Sequence, residues 1–256
     1  MSARVAVVIF PGTNSEEETL RILRDCGANA ELVHWSRAAT LPQYDAYVLP
    51  GGFAYEDRIR AGAIAAHDAM MDHVIAGAEK GKLVLGLCNG AQVLLEAGLV
   101  PGTGDVRRPT AAFTRNGPVP HFVCQQTHIK LKMNPKRSPL TAALPFDALV
   151  PAWAAHGEGR LAATDDHLRE LVDGDHIAFV YAHADGSVDA EAVPNESALG
   201  IAGLVNREGN VLAVMPHPER DAWNFNHPDL RVGDNMLAPS GGAVFFASFV
   251  EALKSA

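Results

Sequence analysis

The sequence has few cysteines, and their spacing is not that of a metal site. Its 256 residues contain three cysteines, Cys26, Cys88 and Cys124, which cannot all pair within one chain. No Cys-x-x-Cys spacing, the usual sign of zinc binding, occurs. We therefore predict a reduced, cytoplasmic protein that holds no metal of its own.

The sequence also lacks the charge pattern and the long apolar runs of two other protein classes. Its formal net charge is -9, whereas nucleic-acid surfaces gather Lys and Arg against phosphates. No apolar run approaches the roughly 20 residues of a membrane span, and the short run near the N-terminus is not typical of a signal peptide. We expect neither a nucleic-acid partner nor a membrane partner.

A phosphate-binding loop of the Walker type is missing as well. No Gly-x-x-x-x-Gly-Lys-Ser/Thr segment occurs anywhere in the chain. If the protein takes part in a reaction that consumes ATP, we expect the nucleotide to bind to a partner.

Strand and helix patterns alternate along most of the chain. Continuous β-branched or apolar runs predict buried strands, at residues 5–10, 30–35, 46–50, 83–88, 176–182, 201–206 and 211–219. Helical spacing of apolar residues predicts helices at 13–27, about 59–80, 90–98 and 241–253. Ser15 and Glu18 have the spacing of a capping box at the start of the first helix.

This alternation predicts an α/β fold with an open, mostly parallel, doubly wound sheet. The stretch from about 119 to 155 differs, because its strand-like pieces contain several prolines and no strong helix. We interpret it as an antiparallel excursion on one edge of the sheet. No repeat, low-complexity segment or linker interrupts the chain, so we predict a single domain over residues 1–256.

Cys88 stands where a predicted strand meets a predicted helix. Gly86-x-Cys88-x-Gly90 has the spacing of a nucleophile elbow, in which the flanking positions must be small to avoid collision. The N-terminus of the following helix favours the reactive thiolate. A free cysteine at a strand end is otherwise a small buried hydrophobe. The motif alone leaves both interpretations open.

His217 is the candidate base for such a nucleophile. It directly follows a strong strand, and Glu219 comes two residues later, so both side chains face the same way in extended backbone. The carboxylate can hold one imidazole nitrogen while the other faces the thiol. Cys88, His217 and Glu219 would then form an acyl-transfer triad. The alternative is a surface turn that contains these residues by chance.

Four further polar residues could be taken for metal ligands: His67, Asp68, Asp72 and His73. Their spacing distributes them around a predicted helix. A solvated helix face explains them better than a metal site.

Five segments, in chain order, resemble class I (triad-type) glutamine amidotransferases. They are "FPGTN", "PGGFAYEDRIRAGA", "GLCNGAQVL", "AHGEGR" and "MPHPER". Cys-x-Gly-x-Gln with a distant His-Pro-Glu is specific to the class. The first, second and fourth segments resemble a narrower group, the glutaminase subunits of phosphoribosylformylglycinamidine synthase. The resemblance implies a flavodoxin-like α/β fold.

The resemblance also implies the chemistry of the triad. Cys88 would attack the carboxamide carbon of L-glutamine, which releases ammonia and leaves a glutamyl thioester. His217 would transfer the protons and later activate water. Glu219 would orient His217 and stabilise its cationic form. The expected net reaction is hydrolysis of glutamine to glutamate and ammonia.

Other site residues follow from the same resemblance. The backbone N–H groups of Gly52 and Asn89 would form the oxyanion hole, and Gln92 would hold the α-substituents of glutamine. The segment from His156 to Arg160 would lie near the site or a partner surface, without an assigned chemical step. Glu56 stands where these proteins usually have glycine, a departure that bears on the partner-facing surface.

The resemblance implies partners as well. The ammonia would pass to a synthetase subunit that uses ATP to convert formylglycinamide ribonucleotide to formylglycinamidine ribonucleotide in de novo purine biosynthesis. ATP and magnesium would bind to that synthetase, this subunit would need no cofactor, and a small accessory subunit could complete the complex.

Three other functions stay open at this point. The chain could be the glutaminase subunit of another amidotransferase, a hydrolase with a cysteine elbow, or a non-catalytic module of similar fold. Many such hydrolases have histidine directly after the cysteine, where this chain has Asn89.

Overall fold

A computed structural model describes residues 3–228, 231 and 233–255 of the chain. The strands are β1 (Arg4–Ile9), β2 (Asn29–His34), β3 (Ala46–Leu49), β4 (Leu83–Leu87), β5 (Ala111–Thr114), β6 (Val123–Leu131), β7 (Leu149–His156), β8 (Arg160–Ala163), β9 (Ile177–Ala182), β10 (Ile201–Val205) and β11 (Val211–Val214). The α-helices are α1 (Glu16–Asp25), α2 (Ala69–Glu79), α3 (Asn89–Glu96), α4 (Asp165–Asp173) and α5 (Gly241–Ser255).

Nine of these strands form one sheet, in the order β2-β1-β3-β4-β11-β10-β9-β6-β7. Neighbours from β2 to β11 are parallel, and neighbours from β11 to β7 are antiparallel. The predicted α/β fold with a parallel sheet and an antiparallel edge is confirmed. The antiparallel part extends beyond the predicted excursion, because it also contains β9 and β10. Strands β5 and β8 form a separate antiparallel pair.

Helices cover both faces of the sheet, as expected of a doubly wound fold. Residues 5–8 of β1 are fully buried, and they alternate between two hydrophobic clusters, one on each face. Helices α2 and α3 pack on one face and α1 and α5 on the other. Within the described residues, no helix is long and apolar enough to cross a membrane.

The second predicted helix is shorter than expected. The prediction began at about residue 59, but α2 begins at Ala69, where the Asp68 side chain accepts a hydrogen bond from Met70 N at 2.7 Å. The residues before it form a loop that packs on α3. Gly62 has a φ of +79°, and a Cβ there would lie 2.7 Å from the Gln92 backbone. A loop that lies close to α3 therefore takes the place of the first turns of the predicted helix.

The predicted capping box is wrong in detail. Ser15 is the N-cap of α1, but its side chain makes no hydrogen bond to the helix. The Ser15 N–H donates to Gly51 O at 3.2 Å, and this contact packs the residue against the turn after β3. Its hydroxyl is buried there without a partner among the described residues.

Helix α4 was not predicted. It is short and mostly polar, and Leu171 is its one fully buried side chain. The signal that could have revealed it is at its start, where Thr164 accepts a hydrogen bond from His167 N and two aspartates occupy the first turn.

The sheet order brings distant parts of the chain to one edge. Strands β3, β4 and β11 are parallel neighbours, so their carboxyl ends lie side by side. Four antiparallel steps separate β11 from β7, so β7 runs in the same direction and ends at the same edge. In open α/β sheets, ligands bind beyond these carboxyl ends.

Candidate active site

Cys88 occupies a strained bend between β4 and α3. Its φ of +48° and ψ of -106° lie in a region that side-chain-bearing residues rarely adopt. A Cβ on Gly86 would lie 2.7 Å from Gly90 O, and a Cβ on Gly90 would lie 1.9 Å from Leu49 O. Only glycine fits at these two positions. The bend therefore has the form that its spacing predicts.

His217 and Glu219 form a buried pair beside this bend. Nδ1 of His217 lies 2.5 Å from Oε1 of Glu219, and both side chains are almost fully buried. The backbone of His217 is held by two hydrogen bonds with Trp153 of β7. A Cβ on Gly51 would touch both the His217 ring and Cys88 Cβ, at 2.5 and 3.3 Å. The structure thus brings the three predicted triad residues together.

The electrostatics of the site favour an imidazolium at His217. Burial by itself lowers the pKa of His217, but the charges of Cys88 and Glu219, with hydrogen bonds to both, raise the pKa to about 10. The protonated ring therefore lies beside the Cys88 sulfur and the Glu219 carboxyl group. Such a pair supplies a sulfur nucleophile and an acid for the leaving group.

The backbone N–H groups of Gly52 and Asn89 have no backbone partner among the residues that the structure describes. Phe53 N donates to Gly12 O and Asn14 N donates to Gly51 O, so Gly52 is half of a non-hydrogen-bonded pair with Thr13. The Gly52 N–H consequently points away from Thr13. Asn89 is the first residue of α3, where an N–H has no partner within the helix. Both groups can bind an oxyanion; that role stays a prediction.

A pocket of about 430 Å³ opens onto the cysteine. Its lining comprises Asn14, Gly52, Phe53, Asp57, Cys88, Gln92, Phe122, Cys124, Ala155, His156, Gly157, Glu158, His217 and Arg220. The predicted substrate-binding residue Gln92 is among them. However, its amide already donates to Glu158 O at 2.6 Å and accepts from Asn89 Nδ2 at 2.8 Å. Contact between Gln92 and the substrate stays a prediction.

The loop after β7 also reaches this pocket. His156 is buried, with 3% of the residue exposed, and neither ring nitrogen has a hydrogen-bond partner among the described residues. Burial, followed by the charge of His217, lowers the pKa of His156 to about 4, so the ring is neutral. A Cβ on Gly159 would lie 2.3 Å from the ring, which explains the second glycine of "HGEGR". The sequence analysis did not single out Asn116. Its side chain donates a hydrogen bond to His156 O and accepts one from Gly159 N.

Asp57 lines the pocket, and the sequence analysis did not single it out. Its Oδ1 accepts a hydrogen bond from Asn89 Nδ2 at 3.0 Å. Burial raises the pKa of Asp57 to about 6, and the nearby carboxylate of Glu158 adds to the increase, against the hydrogen bond from Asn89. The available signal was its place in "PGGFAYEDR", just after a buried strand that neighbours the strand of Cys88.

Two of the four residues considered as metal ligands have other contacts. Asp68 caps α2 and accepts a hydrogen bond from Tyr55, and Asp72 pairs with Arg107. In the part of the chain that the structure describes, no three His, Cys, Asp or Glu side chains gather as a metal site.

Comparison with known proteins assigns the family. A model of the CobB/CobQ-like glutamine amidotransferase domain matches residues 2–250. The chain belongs to this family. The amidotransferase resemblance read from the sequence is therefore confirmed.

Several individual proteins are similar to this chain over most of its length. A Salinibacter ruber protein called phosphoribosylformylglycinamidine synthase subunit PurQ is 42% identical over 220 residues, 86% of this chain and 88% of the relative. A Symbiobacterium thermophilum protein of the same name is 39% identical over 251 residues, 98% and 97% of the two chains. A chain in the structure of PurLQS from Thermotoga maritima superposes with a TM-score of 0.75 at 28% identity, covering 98% of this chain and 99% of that one.

Replacing Glu219 with glutamine tests how this amidotransferase orients its histidine. Loss of the carboxylate has two effects. It removes a charge that raises the pKa of His217, and it removes the acceptor that fixes the Nδ1 proton of the ring. We expect glutamate release to fall at least about 10²-fold, but by less than for loss of the cysteine. Steady-state glutamate assays measure the effect. A folded variant as inactive as Cys88→Ala would show that Glu219 does more than orient the base.

Proposed function

We propose that this chain is the glutaminase subunit of phosphoribosylformylglycinamidine synthase in de novo purine biosynthesis, and that Cys88, His217 and Glu219 carry out the hydrolysis. The observation that carries the proposal is the strained Cys88, which lines one pocket together with His217, the histidine that forms a buried pair with Glu219. The match of the family over residues 2–250 and relatives that align along nearly their whole length support it.

In the proposed mechanism the Cys88 thiolate attacks the carboxamide carbon of glutamine. The carbonyl oxygen becomes negative and is stabilised by the N–H groups of Gly52 and Asn89; one donor of this kind typically contributes about 10²–10³ in rate. His217 gives its proton to the leaving nitrogen, and the C–N bond breaks to release ammonia. A glutamyl thioester remains on Cys88.

The thioester is then hydrolysed by water. His217, now neutral, takes a proton from the water as its oxygen attacks the thioester carbon. The C–S bond breaks, glutamate leaves, and Cys88 and His217 return to the ion pair. Glu219 keeps the ring oriented throughout.

The ammonia serves a synthetase partner in this proposal. Support comes from the chain in PurLQS that this protein resembles along its whole length. The absence of a Walker-type loop from the sequence agrees with ATP and magnesium binding to the synthetase. We also propose that the chain forms one amidotransferase domain over residues 1–256, acts in the cytoplasm, and can assemble with a small accessory subunit.

The dependence on the synthetase tests this assignment. Ammonia released without an acceptor is wasted, so we expect the isolated chain to be a poor glutaminase and to become active in the complex. The measurement is glutamate release from glutamine by the chain alone and with the synthetase, formylglycinamide ribonucleotide and ATP. Full activity of the isolated chain would contradict the expected coupling, and no activity under either condition would contradict the assignment.

A further inference from the structure

Asp57 is a carboxylate in the nucleophile pocket that the proposed hydrolysis does not use. It lines the pocket together with Cys88. Its Oδ1 accepts a hydrogen bond of 3.0 Å from Asn89 Nδ2, which fixes the position of the carboxylate. Asn89 directly follows the nucleophile, so Asp57 is held at a constant place relative to the sulfur. A polar group fixed in this way can bind a part of the substrate away from the reacting bond.

The loop that carries Asp57 is held in an unusual conformation. Tyr55, Glu56 and Asp57 have φ values of +55°, +59° and +50°. The loop is fastened by the hydrogen bond from Tyr55 to Asp68 and by Ala54 N, which donates to Asn89 Oδ1 at 2.9 Å. Such backbone strain persists only where the surroundings enforce it. Here its effect is to direct Asp57 to the pocket.

Among the charged groups that the structure describes on this wall, the Asp57 carboxylate is the one without a cationic partner. Glu158 also lines the pocket; one of its oxygens accepts from Ala61 N at 3.1 Å, and the other is 3.8 Å from Arg115 Nε. Among the described residues, no ion pair includes Asp57, and the charge of Glu158 opposes its ionisation. A cation bound between the two carboxylates would relieve this repulsion.

Glutamine carries one such cation. Its α-ammonium nitrogen lies about 5 Å from the carboxamide carbon in an extended side chain, given ordinary bond lengths. We propose that Asp57, reinforced by the charge of Glu158, binds the α-ammonium group and selects α-amino acid amides over other carboxamides. This inference rests on the proposed function, because it assigns part of the same substrate to the same pocket.

The test compares glutamine with 4-carbamoylbutanoate, which is glutamine without its α-amino group. Each compound is titrated as a protector of Cys88 against iodoacetamide in the full chain, and the modified cysteine is identified by peptide mapping. The wild-type chain is expected to need about 10- to 100-fold less glutamine than 4-carbamoylbutanoate. In Asp57→Asn the two protecting concentrations should converge, because only glutamine loses an ionic contact.

Two further variants make the comparison specific. Glu56→Gln changes an exposed carboxylate of the same loop that pairs with Arg58, and should keep the wild-type preference. Glu158→Gln should lose part of the preference. A general loss of folding would weaken the binding of both ligands. The ratio of the two protecting concentrations within one protein would then stay unchanged.

An Asp57→Asn chain that keeps the wild-type preference, or that weakens both ligands equally, overturns the inference. Failure of glutamine to protect the wild-type chain, together with no glutamate release beside the synthetase, overturns the proposed function itself. The two failures are therefore distinguishable.

Discussion

Cys88→Ala is expected to abolish glutamate release, by about 10⁴-fold or more, while the chain stays folded. In the proposed mechanism the Cys88 sulfur is the atom that forms the thioester, so its removal takes away covalent catalysis at the strained bend. The substitution keeps the Cβ and removes a single atom, so the strained bend and the packing of Gly86 and Gly90 are unchanged. Glutamate release in the presence of the synthetase measures the loss.

The matched control is Cys26→Ala. Cys26 is half-buried directly after α1 and is not part of the pocket lining, so its loss should leave activity near the wild-type level. Circular dichroism and thermal unfolding establish that both variants are folded. Substantial glutaminase activity in folded Cys88→Ala would refute the thioester mechanism.

His217→Asn is expected to have the second-largest effect, a loss of about 10³–10⁴ in glutamate release. The pKa of about 10 keeps the imidazole protonated through neutral pH, where its positive charge faces the Cys88 sulfur. Asparagine approximates the shape of the ring but cannot carry the positive charge or transfer the proton. Alkylation of Cys88 at neutral pH should therefore slow together with catalysis.

His183→Asn provides the comparison for this variant. His183 is a partly exposed histidine whose ring is hydrogen-bonded to Asp189, and it is not part of the pocket lining. It should leave both glutamate release and Cys88 alkylation unchanged. A folded His217→Asn chain that retains activity within tenfold of the wild type would show that another group moves the protons.

The local geometry of the site could be predicted because it depends on residues close together in sequence. Glycines two before and two after Cys88 predicted the bend, since a Cβ at Gly86 or Gly90 meets backbone atoms. Likewise, the spacing of His217 and Glu219 predicted that their side chains face the same way. The meeting of the two segments depends on β11 pairing with β4, which the strand patterns alone did not establish.

The missed features depend on contacts between segments distant in sequence. The loop around Asp57 has positive φ values at residues that are not glycine, so composition gives no sign that the predicted helix starts late. Ser15 has the spacing of a capping residue, but its contact with the turn after β3 decides its role. His156 was recognised only as part of a polar loop, because its burial against Gly159 depends on the β7 position in the sheet.

The most direct measurement is labelling of the chain with a diazo-ketone analogue of glutamine, with and without excess glutamine, followed by intact-mass analysis and peptide mapping. The proposed mechanism predicts one adduct, on Cys88, that glutamine suppresses. Labelling that ignores glutamine, or that falls equally on Cys26 and Cys124, would show a merely exposed thiol and contradict the assignment of Cys88 as the glutamine-specific nucleophile.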